Sequence, residues 1–235
     1  MTVGPVTSGP GVAVLKIRGA MSQREEFWSC GEGANYEEIT ERFTGACSDP
    51  GVSAIVLDGD TPGGDVPGLE QAIARMRAAR DASGKPVIGF CNELLASGGV
   101  WLCATVCHAI YLPPSGRMGS VGVVIAHETD ARWAAEQGFD RTIVRDPPGK
   151  ANPNGDEPLD ELGRSRLQTL VSAASSRFIA AIAQARSLDE AAIRAWNGGM
   201  FTGAEAVSAG LADGIGSLEE TIALASNLAL ATEAA

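Results

Sequence analysis

The chain reads as an α/β fold, a layered spiral of strand and helix units with a mainly helical C-terminal part. Two observations predict it. Short apolar, β-branched runs ended by Gly or Asp, such as Val12-Ala13-Val14-Leu15-Lys16-Ile17 and Val52-Ser53-Ala54-Ile55-Val56-Leu57, have the composition of strands buried on both faces. Stretches with apolar residues at helical spacing alternate with them, and from residue 159 onward such stretches take over.

Between the first two strands lies a helix that Asn35 can cap. Glu37 and Glu38 fall in its first turn, and Ile39, Phe43 and Cys47 repeat every fourth position. Residues 19–34 read as a loop. After a Gly63-Gly64 turn, Leu69, Ile73, Met76 and Arg80 mark a second helix, which Gly84-Lys85-Pro86 ends before the strand Val87-Ile88-Gly89-Phe90-Cys91. A helix from about Ser97 then leads to the strand Ala109-Ile110-Tyr111-Leu112, a Pro/Ser/Gly turn and an expected strand over 121–126. A short helix over 129–137 and an expected strand over 141–144 precede a polar loop over 146–158. Leu159, Leu162, Arg166, Leu170, Ala174, Phe178 and Ile182 predict a long amphipathic helix, with short helices near Asp189, Gly203 and Ser217.

With 235 residues, 45% of them apolar, the chain has material for one large core, and residues 1–235 read as a single domain with 159–235 as its helical part. The formal net charge of −11 without a basic cluster excludes the electrostatic footprint of a nucleic-acid or anionic-membrane binder. Cys30, Cys47, Cys91, Cys103 and Cys107 are odd in number and lack framework spacing, so they read as reduced core residues. Met1-Thr2-Val3-Gly4-Pro5 has no basic flank and no following apolar run, which predicts no signal peptide and a cytoplasmic location. The almost uncharged run over 94–109 is too short and too glycine-rich for a membrane span, and suits a helix buried on every side.

The chemistry-bearing residues are Ser97, in Ala96-Ser97-Gly98-Gly99, the Gly63-Gly64 pair after Asp60-Thr61-Pro62, and Lys150. A serine hydroxyl needs a base in reach and donors for the oxyanion, and Gly-rich turns leave amides unshielded by a Cβ. His108 lies eleven residues past Ser97 in the same apparent helix, about 16 Å along its axis at 1.5 Å per residue, too far to act as base. His127, closing a strand, is a weaker candidate than a structural hydrogen-bonding role. Among three lysines, Lys16 and Lys85 read as structural, whereas Lys150 stands alone in Asp146-Pro147-Pro148-Gly149-Lys150-Ala151-Asn152-Pro153. A solvated loop lysine is the plain alternative, and a simple tight turn is the alternative for Gly63-Gly64. A free lysine, with a pKa near about 10.4, is neutral in only about one molecule in a thousand near pH 7.4, so burial of the amine is a requirement of base catalysis. Cys103, Cys107 and His108 offer too few convergent ligands for a zinc shell.

These residues resemble the signal peptide peptidase A and phage head maturation protease family, whose fold is Clp-protease-like and crotonase-like. The resemblance spans most of the chain, including Gly116 to Val123 and Phe201-Thr202-Gly203-Ala204-Glu205-Ala206 leading to Gly210-Leu211-Ala212-Asp213. It implies Ser97 as nucleophile, Lys150 as general base and the Gly64 and Gly98 amides as oxyanion donors, with Gly63 and Ser120 auxiliary. Ser120 falls near the place of the histidine in Clp relatives and either orients the lysine or is a turn residue. Thr61 stands where serine is commoner, and Val100 replaces a frequent aromatic residue, with an expected effect on the cleft wall.

The resemblance further implies a serine endopeptidase without cofactor, a homo-oligomeric ring, and protein substrates. A soluble phage or prophage capsid-maturation protease acting on scaffold, portal or capsid proteins, in the host cytoplasm or procapsid, is the leading expectation. A signal-peptide-peptidase-like protease, a crotonase-like acyl-CoA enzyme and a catalytically idle assembly subunit are the alternatives. The long helix from Leu159 either joins the ring contact or packs on its own domain.

Overall fold

The computed structural model describes residues 6–7, 11–23 and 33–233. Cys30 and the N-terminal residues read for a signal peptide lie outside them. The elements run β1 (Val6–Thr7), β2 (Val12–Arg18), β3 (Met21–Ser22), β4 (Ala34–Asn35), α1 (Tyr36–Ser48), β5 (Ala54–Thr61), α2 (Leu69–Ser83), β6 (Val87–Ala96), α3 (Gly98–Val106), β7 (Ala109–Leu112) and β8 (Arg117–Gly119). They continue with α4 (Ala131–Glu136), α5 (Glu161–Arg186), α6 (Glu190–Ala195), β9 (Met200–Thr202), α7 (Gly203–Ser208), β10 (Gly214–Ile215) and α8 (Leu218–Glu233).

The main sheet has the order β1-β2-β5-β6-β7-β10, parallel from β2 onward, with β1 antiparallel at its edge. Because successive side chains face opposite ways, each strand feeds two cores. Ala13, Leu15, Ile17, Ile55, Leu57 and Val87 meet Phe43, Met76 and Leu102 from α1, α2 and α3 on one face. Val12, Val14, Ala54, Val56, Ile88 and Phe90 meet Ala225 and Ala229 of α8 on the other. The continuous apolar runs in the sequence follow from this double burial.

Helix α1 forms as its residues dictate. The Asn35 carboxamide accepts from the amides of Glu37 (2.8 Å) and Glu38 (3.3 Å), and Ile39, Phe43 and Cys47 are its buried stripe. Helix α2 stops at Gly84, whose φ of 66° is the left-handed conformation that glycine adopts without a Cβ clash. Lys85 is structural: its Nζ donates to the carbonyls of Ala46 (3.0 Å) and Asp49 (2.7 Å) at the end of α1.

Strand β6 is a corner. Ile88 to Phe90 pair with β7, whereas Leu94 to Ala96 pair with β8. Between the pairs Gly59↔Cys91 and Thr61↔Leu95, β5 advances two residues and β6 four, so β6 carries a bulge, with Glu93 at φ 73°. The bulge bends the strand end toward β8, and Ser97 follows it.

Three expectations are corrected. No strand forms over 121–126, because positive φ at Gly119, Ser120 and Gly122 ends the extended run, and Val124 remains 87% exposed. Residues 141–144 form no strand either: their β-branched side chains favour one, but no strand of the described chain lies beside them, and Val144 is 92% exposed. The helix near Ser217 is not short, since α8 runs to Glu233 and seals the second core.

The chain separates into two compact units, Met1–Gly122 with Phe178–Ala235, and Val123–Arg177. In the first, Trp101 of α3 stacks on Phe178 of α5, with ring centroids 4.6 Å apart and planes 6° from parallel. In the second, Arg141 bridges Asp130 (2.5 Å) and Asp156 (2.7 Å), and its hydrogen bond holds the Asp130 carboxyl below its usual range. Among the described residues no helix is long and apolar enough to cross a membrane.

Candidate active site

Ser97 occupies the turn between β6 and α3. Its amide donates to the carbonyl of Gly119 (2.9 Å), and its carbonyl accepts the first bond of α3 from Trp101 (3.1 Å). Between these restraints the backbone is held at φ 49° and ψ −121°, a region that costs a non-glycine residue roughly 1–3 kcal/mol. The side chain is half-buried and stands at the electropositive end of the helix. Gly98 is the first residue of α3, so its N–H has no partner within the helix.

The Gly63-Gly64 turn is built against this N-terminus. Thr61 is fully buried, and its hydroxyl accepts from the Gly63 amide (3.0 Å). The Gly63 carbonyl accepts from Met21 (2.8 Å), and the Met21 carbonyl accepts from Asp65 (2.9 Å), which makes Gly64 and Met21 a parallel bridge. The peptide between Gly63 and Gly64 is trans, so the Gly64 N–H points away from Met21, opposite the bonded carbonyl. A Cβ on Gly98 would lie 3.4 Å from the Gly64 nitrogen, and one on Gly63 would lie 2.6 Å from the Ser97 Cβ and 3.0 Å from the Gly98 nitrogen. The structure thus brings Ser97, Gly63, Gly64 and Gly98 together, and at position 63 only glycine leaves room for that approach.

Ser120 follows the residue whose carbonyl holds the Ser97 amide. Its own amide donates to Gly199 (2.9 Å), and its φ is 55°. Val100 is wholly buried in the main core.

Lys150 belongs to the second unit, where its side chain is exposed. Its amide donates to Pro147 (2.9 Å), closing a turn. Arg166 of α5 donates through Nη1 to the carbonyls of Gly149 and Asn152, on either side of the lysine. The Asn154 carboxamide donates to Ala151 (2.8 Å) and to Glu157 (2.8 Å), which also pairs with Arg145 (2.6 Å). His127 bonds through Nε2 to the Asn154 carbonyl (2.9 Å), the structural role considered for it. His108 lies beyond α3 rather than within it. Its Nδ1 accepts from Val87 at the start of β6, the opposite end of that strand from Ser97, and burial lowers its pKa.

Cys47, Cys91, Cys103 and Cys107 are buried free thiols. Burial raises the Cys47 thiol, pushes Cys91 up to about 12 and lifts Cys107 well above its ordinary range, which keeps these thiols protonated and poor as metal ligands. Among the described residues no group of His, Cys, Asp and Glu is arranged to hold a metal ion.

Sequence reasoning missed Met21, placed in a loop although it brackets Gly64, and the Gly119 carbonyl; both act across long chain separations and left no local signal. Arg166 did leave one: it is a charge within an otherwise apolar helical stripe.

The spiral of parallel strands and helices with a serine at the α3 N-terminus defines a Clp-protease-like fold, and a solved membrane-bound stomatin-specific protease shares it, with a TM-score of 0.55 and 16% identity over 91% of this chain and 84% of that one. The profile of peptidase family S49 matches residues 79–232, and the chain belongs to that family. It is 30% identical to capsid assembly protease C of Escherichia phage lambda over 86% of this chain and 46% of the relative. It is 31% identical to protease 4 of Salmonella typhi over 96% of this chain and 36% of the relative. The chain therefore spans less than half the length of these two relatives.

Proposed function

We propose that the chain is a serine endopeptidase in which Lys150 takes the proton of Ser97. The observation that carries this reading is the strained Ser97 backbone at the α3 N-terminus beside the Gly64 and Gly98 amides. Ser97 Oγ attacks the scissile carbonyl, and its proton passes to Lys150 Nζ. The carbonyl oxygen, now negative, is stabilised by the two amides. Lysine then protonates the leaving amine, and water releases the acyl group by the reverse sequence. No cofactor enters these steps. The amine must leave water to act as a base, and because Lys150 is exposed we assign that covering to assembly with neighbouring protomers, in a homo-oligomeric ring, together with bound substrate.

The likeness to a phage capsid assembly protease supports a capsid-maturation role on scaffold, portal or capsid proteins, in the procapsid or host cytoplasm. A second reading, a signal-peptide-peptidase-like protease, is favoured by the alignment of 96% of the chain with a bacterial protease 4. Incubating candidate scaffold protein or casein with wild type, Ser97→Ala and Lys150→Ala tests the mechanism. Both variants should lose cleavage, and Ser97→Ala should also lose fluorophosphonate labelling. Acyl-CoA turnover that persists in Ser97→Ala would instead assign a crotonase-like activity.

A further inference from the structure

We propose that Arg166 is a positioning residue for Lys150, holding the loop that presents the amine through the carbonyls on either side of it. This rests on the Ser97–Lys150 reading and extends it to a residue outside the dyad. All the groups concerned lie within Val123–Arg177.

The Lys150 loop is built onto the first turns of α5. Arg166 stands in the second turn and its Nη1 meets the Gly149 carbonyl and the Asn152 carbonyl (2.8 Å). A Cβ on Gly149 would lie 2.5 Å from Arg166 Nη2 and 3.2 Å from Cζ, so a side chain at 149 would push the guanidinium from its place. A Cβ on Gly163 would lie 2.5 Å from Asn152 Oδ1, so a second glycine lets the loop rest on the helix. Asp160 completes the joint: Oδ1 accepts from the Gly163 amide (2.7 Å) and Oδ2 from the Asn152 carboxamide (2.8 Å). With Asn154 on the Ala151 carbonyl, the carbonyls of Gly149, Ala151 and Asn152 are all engaged around one lysine.

A lysine kept only for solubility needs none of this, since ordering each residue of a loop costs backbone entropy. A catalytic amine needs its root fixed, because a misplacement of about 1 Å can cost on the order of 100-fold in rate. Arginine suits this role because one guanidinium nitrogen carries two N–H groups, enough for both carbonyls, and the group stays charged at any working pH.

The test measures kcat and KM on labelled casein, and the rate of fluorophosphonate attack on Ser97, for Arg166→Ala, Gly149→Ala and the double variant. Arg166→Ala should lower kcat and labelling roughly 10- to 100-fold, with KM within about twofold. Added guanidinium ion should restore part of the activity of Arg166→Ala and none of that of Lys150→Ala. Gly149→Ala displaces the guanidinium while leaving Arg166 present, so it serves even if Arg166→Ala does not fold, and the double variant should be no worse than either single one. Wild-type kcat in both single variants, or a change in KM alone, overturns the proposal while Lys150→Ala remains inactive. Full cleavage by Lys150→Ala overturns the dyad itself, and the two failures are thereby told apart.

Discussion

The backbone nitrogen of Gly64 stands 3.4 Å from the point where a Cβ on Gly98 would sit, so a methyl group on Gly98 would rest directly against that amide. The other neighbours of that point are side-chain ends, Leu69 Cδ2 at 3.2 Å and Met21 Cε at 3.5 Å, which can give way. Gly98→Ala is therefore expected to fold, with a cost of about 1–3 kcal/mol from overpacking, and to lose fluorophosphonate labelling on the order of 100-fold. Gly64→Ala should behave differently, because its Cβ falls on the Met21 backbone and the bridge must open. Thermal melting and labelling rates separate the two. Wild-type labelling in a folded Gly98→Ala would remove these amides from the mechanism.

Thr61 fixes the same turn from inside the core. Its hydroxyl caps the Gly63 amide, and its Cγ2 lies 2.6 Å from where a Cβ on Gly99 would stand. Thr61→Ser keeps the cap and sheds one methyl, at about 1 kcal/mol. Thr61→Val keeps the shape but strands a buried amide, at about 1–3 kcal/mol, and loosens Gly63 beside Ser97. Labelling rates should hence rank wild type and Thr61→Ser well above Thr61→Val. Equal rates in all three would show that the hydroxyl has no part in shaping the turn.

What could be read from the sequence was what neighbouring residues decide. Asn35, the two glutamates after it and the stripe Ile39-Phe43-Cys47 specify α1 without help from elsewhere, and the structure has each in the expected place. The juxtaposition of Ser97 with Gly63, Gly64 and Gly98 was legible for a related reason: strand ends in a parallel sheet collect at one edge, so two Gly-rich turns after neighbouring strands must meet. Partner-dependent features were not legible. Residues 121–126 and 141–144 have strand composition, but a strand exists only where another lies beside it. The extra residues of β6 likewise show only in register, since Asn92 and Glu93 give no local sign of a bulge. Arg166 was visible as an anomaly in its stripe, yet its partners are carbonyls, which sequence does not display.

The cysteines give a prediction independent of catalysis. Cys47, Cys91, Cys103 and Cys107 are each 7% exposed or less, and burial raises the thiols of Cys47, Cys91 and Cys107. In a Cys30→Ser variant near pH 8, where an exposed thiol of pKa about 8.5 reacts readily, the folded protein should consume almost no thiol reagent. Unfolding in guanidinium chloride should release four. Rapid reaction of the native variant would mean that this part of the core opens far more often than its packing implies.

Acid should loosen the Lys150 loop before it unfolds the core. Glu157 is held below its usual range by hydrogen bonds from Arg145 and then Asn154, and Asp160 by the Gly163 amide and then Asn152. A carboxylate whose folded pKa is depressed contributes its full stabilisation above its ordinary value, 4.5 for Glu157 and 3.8 for Asp160, and loses it as pH falls through the lower folded value. Both groups are solvent-facing, so the effect on global stability is small and the effect is local. Amide exchange over residues 146–160, corrected for its intrinsic pH dependence, should therefore be slow near about pH 5 and accelerate below about pH 4, while exchange in β5 and β6 stays unchanged. Glu157→Gln and Asp160→Asn should each shift the wild-type profile toward the fast limit already at about pH 5, because the neutral side chain is a weaker acceptor. Exchange over 146–160 that is equally fast at both pH values would mean that these carboxylates do not hold the loop.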